Sequence, residues 1–142
     1  MRICFLTYSV NTTDGGGRFS FDLVSCLKKS GNEISLLTHG DLLKNPFINF
    51  LKIRNIFKNS DIIHAVDIWP NGFYARVISL CLKKPLIITA LGTYSFAPFY
   101  SWRRPFMIWA SKCAQIIAIS EYTKIKIKEI APKLNIRVII PG

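Results

Sequence analysis

Apolar and polar positions alternate in two rhythms along this chain. Six short apolar runs, Arg2–Tyr8, Glu33–His39, Asp61–Val66, Leu86–Leu91, Gln115–Ile119 and Ile136–Ile140, have the length and bounding residues of strands. Between them lie stretches of helical periodicity. Phe19, Leu23, Cys26 and Leu27 stand at i, i+4, i+7 and i+8 and predict one apolar face on a helix that runs to Lys29. Asn45-Pro46 offers an N-cap and first-turn proline for a second helix, about Phe47–Lys58, which is apolar over much of its circumference with Lys52, Arg54 and Lys58 mixed in. Phe73, Val77, Leu80 and Cys81 predict the buried face of a third, ended before Pro85. The segment Phe96–Ala110 is dense in aromatic residues around Arg103-Arg104. Thr123–Ile130 alternates Lys with Ile, a strand pattern when read locally, but the surrounding αβ rhythm makes it a helix. Strands alternating with helices predict an α/β fold: a Rossmann-like parallel sheet of about six strands flanked by helices.

Such sheets bind ligands beyond the C-terminal ends of their strands. The loops expected there are Asn11–Arg18, Thr38–Asp41, Asp67–Gly72, Leu91–Ser95 and Ser120–Glu121. In the first, Gly15, Gly16 and Gly17 leave the turn without Cβ atoms, so backbone N–H groups and the dipole of the following helix are available to a phosphate. Glycines also serve a strand-to-helix turn that binds nothing. Arg18 suits either a phosphate partner or a plain helix start. On the remaining loops His64, Asp67, Trp69, Leu91, Gly92, Thr93, Ser120 and Glu121 are the candidate cleft residues. His64 equally suits a packed, hydrogen-bonded histidine, and Ser120 a simple N-cap. A nicotinamide-binding fingerprint would need glycine at position 20, where Ser20 stands, and an acidic residue after the second strand, which ends in Thr38-His39.

The chain has 142 residues, half of them apolar, enough for one domain with a proper core and incompatible with disorder. Nineteen Lys and Arg against eight Asp and Glu give a net charge of +11, which favours an anionic partner. Nucleic acid fits poorly, because the aromatics gather in one apolar segment instead of forming a stacking platform with basic flanks. Met1-Arg2 followed by Ile3–Leu6 is too short for a signal peptide. Eighteen uncharged residues separate Lys84 from Arg103, but glycine, proline and hydroxyl residues interrupt them, as in a buried strand and loop. Cys4, Cys26, Cys81 and Cys113 have no metal-like spacing and are expected as small core residues in a reducing, cytoplasmic compartment.

Taken in order, Gly15-Gly16-Gly17-Arg18-Phe19, Asp61-Ile62-Ile63-His64-Ala65-Val66-Asp67, Thr89-Ala90-Leu91-Gly92-Thr93-Tyr94, Ala118-Ile119-Ser120-Glu121-Tyr122-Thr123 and Ile139-Ile140-Pro141-Gly142 resemble the N-terminal domain of a GT-B-fold glycosyltransferase of family four. The resemblance spans nearly all of residues 1–142. It implies sugar transfer from a nucleotide-sugar donor to a glycan or lipid-linked acceptor, without a metal or other cofactor. It also implies that this half is the acceptor side, that Gly15–Arg18 lies near the donor phosphates, and that His64 through Glu121 line the acceptor cleft. Pro141-Gly142 resembles the lead into a donor-binding C-terminal domain or partner chain, so residues 1–142 alone are expected to be catalytically incomplete. Two departures stand out: Leu91 and Val66 occupy positions where relatives commonly carry histidine. The alternative reading is a non-catalytic basic module that binds an anionic membrane or a partner subunit. Pro46–Lys58 and Phe96–Trp109 mix large apolar residues with cations and show no clean core-facing stripe, the composition of helices lying at a lipid surface.

Overall fold

The computed structural model describes residues 1–43 and 46–141, with side chains at all of these except 42–52. Six strands, β1 (Arg2–Thr7), β2 (Glu33–Thr38), β3 (Ile62–Val66), β4 (Leu86–Ala90), β5 (Gln115–Ala118) and β6 (Ile136–Val138), form one sheet in the order β2-β1-β3-β4-β5-β6. Every pairing is parallel. Phe5, for example, lies beside Leu36 on one side and His64 on the other. The chain leaves β1 toward one edge and β3 toward the other, so the order reverses between these two strands. In open parallel sheets that reversal opens a crevice beyond the strands' C-terminal ends.

Side chains alternate across the sheet. Cys4, Leu6, Ile63, Ala65, Ile88 and Ile116 enter the larger core, and Phe5 and Val66 the smaller one. Helix α1 (Gly15–Lys29) covers the smaller core with Val24, Leu23 and Leu27. On the larger core pack α3 (Pro46–Asn59), α4 (Phe73–Leu82), α6 (Arg104–Ser111) and α7 (Glu121–Ile130), through Phe57, Ala75, Met107 and Ile127. Short helices α2 (His39–Leu43) and α5 (Thr93–Phe96) follow β2 and β4, and a 3-10 turn spans Ala97–Tyr100. Among the described residues no helix is long and apolar enough to cross a membrane.

The parallel α/β architecture matches the sequence expectation, and α7 is a helix, with Thr123 and Ile127 buried one turn apart. Several details differ. The glycines of Gly15–Gly17 are the first turn of α1, not a loop before it. Helix α4 buries Ala75 and Ser79, while Val77, Leu80 and Cys81 face outward, so the expected face is the wrong one. Small residues explain the choice: a Cβ on Gly72 would lie 3.0 Å from the Ile88 side chain, and Ala75 and Ser79 continue that close approach. The described part of α3 does have a core stripe, Ile53, Ile56 and Phe57, with Arg54 and Lys58 exposed. The expectations placed on Asn45, the side chain of Lys52 and Gly142 lie outside the described residues. Only Cys4 is buried; Cys26, Cys81 and Cys113 are exposed, each on the outer side of its helix or turn.

Candidate functional site

Loops after β1, β3, β4 and β5 converge at the C-terminal edge of the sheet. The first begins with Thr7, whose hydroxyl donates to the Ser9 carbonyl at 3.2 Å and accepts from the buried Ser20 hydroxyl at 2.7 Å. Ser20 is therefore a fastener between β1 and α1. Asn11 Oδ1 accepts from the backbone N–H groups of Thr13 and Asp14, both at 3.3 Å. Asp14 then caps α1: its Oδ1 accepts from Gly17 N–H at 2.6 Å. The Gly17 N–H bond, with Asn11 and Gly16 adding to it, holds the Asp14 carboxyl below the usual carboxylate range. Gly17 has no room for a side chain, since a Cβ would overlap the Asn11 amide, whereas Gly15 faces open space. Arg18 turns along the helix surface to pair with Asp22 at 3.0 Å.

Two sequence candidates on β3 part company here. His64 lies inside the sheet, 8% exposed, with Nε2 2.8 Å from Thr89 Oγ1 and its ring edge-on to Phe5 at 5.0 Å. Burial pushes its pKa down to about 4, so it is neutral and held as packing. Asp67 emerges past the strand end with φ 67°, a left-handed conformation that swings its carboxylate across to β4. Its Oδ1 accepts from Leu91 N–H at 3.3 Å and from the Ser95 hydroxyl, while Leu91 N–H also reaches Ser95 Oγ at 2.7 Å. Burial pushes the Asp67 carboxyl up, and the bonds from Ser95 and Leu91 pull it back. Asp67 N–H and Gly72 N–H complete the turn, bonding Thr89 O at 2.8 Å and Asp67 O at 3.0 Å.

The β4 exit loop sits between these two. Leu91 stands opposite Gly16, whose Cβ position is 3.9 Å from Leu91 Cδ1, so the start of α1 and the β4 loop share one wall. Gly92, at φ 93°, turns the chain into α5, and Thr93 is exposed at the helix start. Ser120 caps α7 by accepting from Thr123 N–H at 3.1 Å, and the exposed Glu121 pairs with Lys124 at 3.2 Å. Trp69 turns away from this wall into an aromatic group with Phe73 and Trp102.

The structure thus joins Gly15, Gly16, Asp67, Leu91, Gly92 and Thr93 around one crevice, with Ser120 and Glu121 at its far loop. It sets His64 inside the sheet and Trp69 on a neighbouring face. Sequence reading missed Asp14, Asn11 and Ser95. Aspartate three residues before Gly17 is an N-cap signal; nothing local marks Ser95 as the partner of Asp67. A row of rings, Tyr8 stacked on His39 at 5.5 Å and His39 near Tyr74 at 6.5 Å, was also missed and borders the C-terminal ends of β1 and β2.

Residues 40–142 match the model of Glycosyltransferase Family 4. The chain belongs to that family. Its fold is half of a GT-B glycosyltransferase: over its whole length it superposes on the crystal structure of HepE from Anabaena, solved in complex with UDP, with a TM-score of 0.61 at 16% sequence identity. The chain spans 44% of HepE, less than half its length. No curated protein matches the chain in sequence. Within this family-four domain the matched region includes β3 to β6 and every cleft candidate from His64 to Glu121, while the glycines of α1 precede it.

Proposed function

We propose that this chain is the acceptor-side half of a glycosyltransferase that takes a sugar from a nucleotide-sugar donor and passes it to a glycan or lipid-linked acceptor. The family match over residues 40–142 carries the reading. The crevice at the β1/β3 reversal supports it, because loops from four strands meet there beside a helix N-terminus. Donor phosphates would approach α1 from the side of Gly15, whose Cβ position meets nothing within 4 Å, since that of Gly16 lies 3.6 Å from the Asp14 carboxylate. Gly17 is closed to them by Asn11 and by the Asp14 cap. A uridine nucleotide is the first donor to try, since HepE was solved with UDP. Asp67 fixes the β4 loop, and Leu91, with no acid or base of its own, contributes shape.

The test is sugar transfer by this chain joined to a donor-binding domain, supplied with labelled uridine- and guanosine-diphosphate sugars and a lipid and glycan extract. Labelled product is expected from one donor. Gly15→Val, which fills only open space, should depress transfer by about tenfold or more by displacing the donor, with the far-UV spectrum unchanged. Absence of product with every donor, or full activity in the valine variant, would refute the respective claim. Residues 1–142 alone should bind UDP no tighter than roughly 1 mM.

A further inference from the structure

Beside the crevice lies a second feature that sugar transfer does not use. Trp69 contacts Phe73 and Trp102, with ring centroids 5.4 and 6.4 Å apart, and Phe73 in turn meets Phe106 and Trp109 at 5.9 and 5.8 Å. These rings, from the loop after β3, α4, the turn before α6 and α6 itself, form one continuous aromatic face. Trp69 anchors it on the larger core, but its outer part is open: Trp102 is 71% exposed, Phe106 and Trp109 are also exposed, and Val77 and Leu80 extend the apolar surface along α4.

Two guanidinium groups lie on this face. Arg103 stacks over Trp69 and Trp102 at 5.4 and 5.6 Å, and Arg76 over Trp109 at 5.6 Å. Among the described residues neither takes part in an ion pair, and the buried Nε–H of each lacks a hydrogen-bond partner. The sequence around them is one-sided. Between Asp67 and Glu121 there is no acidic residue, while Arg76, Lys83, Lys84, Arg103, Arg104 and Lys112 are all cationic. A guanidinium stacked on a ring stays charged, and with each Nε buried it is the terminal Nη groups that remain for phosphate oxygens.

We propose that this face docks on an anionic lipid bilayer, with Trp102, Phe106 and Trp109 entering the headgroup–acyl boundary and Arg76 and Arg103 pairing with lipid phosphates. Exposed aromatics at the level of unpaired arginines are the composition of an interfacial surface. A second copy of the chain is a poorer occupant, because a two-fold contact would bring uncompensated guanidinium groups together. Trp69, two residues past Asp67, links the face to the crevice loops, so docking would hold the crevice next to the membrane. The inference rests on the face itself and stands or falls apart from the catalytic reading.

Co-sedimentation of the chain with vesicles of phosphatidylcholine, with and without phosphatidylglycerol, tests it. Binding is expected with the anionic vesicles only and should weaken as salt rises. Arg76→Gln/Arg103→Gln should lower the partition coefficient by roughly 25-fold, at about fivefold per arginine. Trp102→Ser, at an exposed position, should lower it severalfold. Lys28→Gln/Lys29→Gln removes the same charge from the last turn of α1, which packs on the other sheet face, and should change it by less than about twofold. Failure to sediment with anionic vesicles at low salt overturns the proposal. So does an equal loss in the lysine variant, which would make net charge the cause, or an unchanged partition in Trp102→Ser. A vesicle-free dimer abolished by Trp102→Ser would assign the face to a second copy instead.

Discussion

Removing the Ser95 hydroxyl should destabilise the domain in a way that depends on the charge of Asp67. Ser95 is fully buried, and its hydroxyl donates to Asp67 Oδ1, which otherwise holds only the 3.3 Å bond from Leu91 N–H. A hydrogen bond to a charged group contributes about 1.5–3 kcal/mol and one between neutral groups about 1 kcal/mol. Ser95→Ala should therefore cost about 2 kcal/mol in the native background. Asp67→Asn keeps an acceptor oxygen for both donors without burying a charge, and in that background Ser95→Ala should cost about 1 kcal/mol.

The pH dependence gives the sign. Burial raises the folded-state pKa of Asp67 above its ordinary value, so its contribution is most favourable below the unfolded pKa and is lost as pH rises through the folded one. Ser95→Ala deletes a bond that pulls the pKa back down, so its penalty should be largest at neutral pH and shrink in acid, where the carboxyl is protonated. Urea unfolding followed by circular dichroism reads both effects. With a denaturant slope of about 2 kcal/mol per molar, a loss of about 2 kcal/mol moves the midpoint by about 1 M. Equal penalties in the native and Asp67→Asn backgrounds, or equal penalties at neutral and acid pH, would show that the Asp67 charge plays no part and that Ser95 acts through packing and the bond it accepts from Leu91 N–H.

His64 is held neutral at about 4, below its ordinary 6.5, so native stability should fall as pH drops through that window; His64→Gln should flatten the fall, and an unchanged profile would refute the assignment. Gly17→Ala forces a Cβ into the Asn11 side chain and should cost about 1–3 kcal/mol, whereas Gly15→Ala should be neutral or slightly stabilising, as thermal melts would show. Three cysteines, Cys26, Cys81 and Cys113, should react with a thiol reagent in the folded chain. Cys4, its thiol pushed up to about 12 by burial, should react only on unfolding.

The fold was legible because parallel strands leave a distinctive record. Runs such as Leu86–Ala90 are buried or half-buried on both faces and are apolar but for Thr89, and glycines and N-caps separate them from the helices. What misled was the assumption that large apolar residues mark the buried side of a helix. In α4 the small Ala75 and Ser79 face the sheet because the helix sits too close for anything larger, and the bulky Val77 and Leu80 are displaced outward. In α6 a core stripe of Met107, Ala110 and Ser111 is present where none was expected, and the aromatic Phe106 and Trp109 stay exposed. Periodicity locates an apolar stripe, but the distance between layers decides which stripe is used.

The site was legible in its loops and less so in its atoms. His64 and Asp67 are three residues apart in sequence, yet one is locked inside the sheet and the other bridges two loops, a difference set by the left-handed turn at Asp67 that no local pattern announces. At the glycine-rich turn the sequence poses a competition that the structure decides. A helix N-terminus with exposed N–H groups attracts an anion, and the nearest anion is the chain's own Asp14. Its carboxylate is tethered, so it occupies the position without the entropic cost of recruiting a ligand, and its lowered pKa keeps it ionised throughout the neutral range. A phosphate arriving at Gly17 would meet a filled position and a like charge. The open side of α1 is at Gly15, which follows the cap residue directly but has no atom near its Cβ position, and that is where the backbone leaves a donor room to approach.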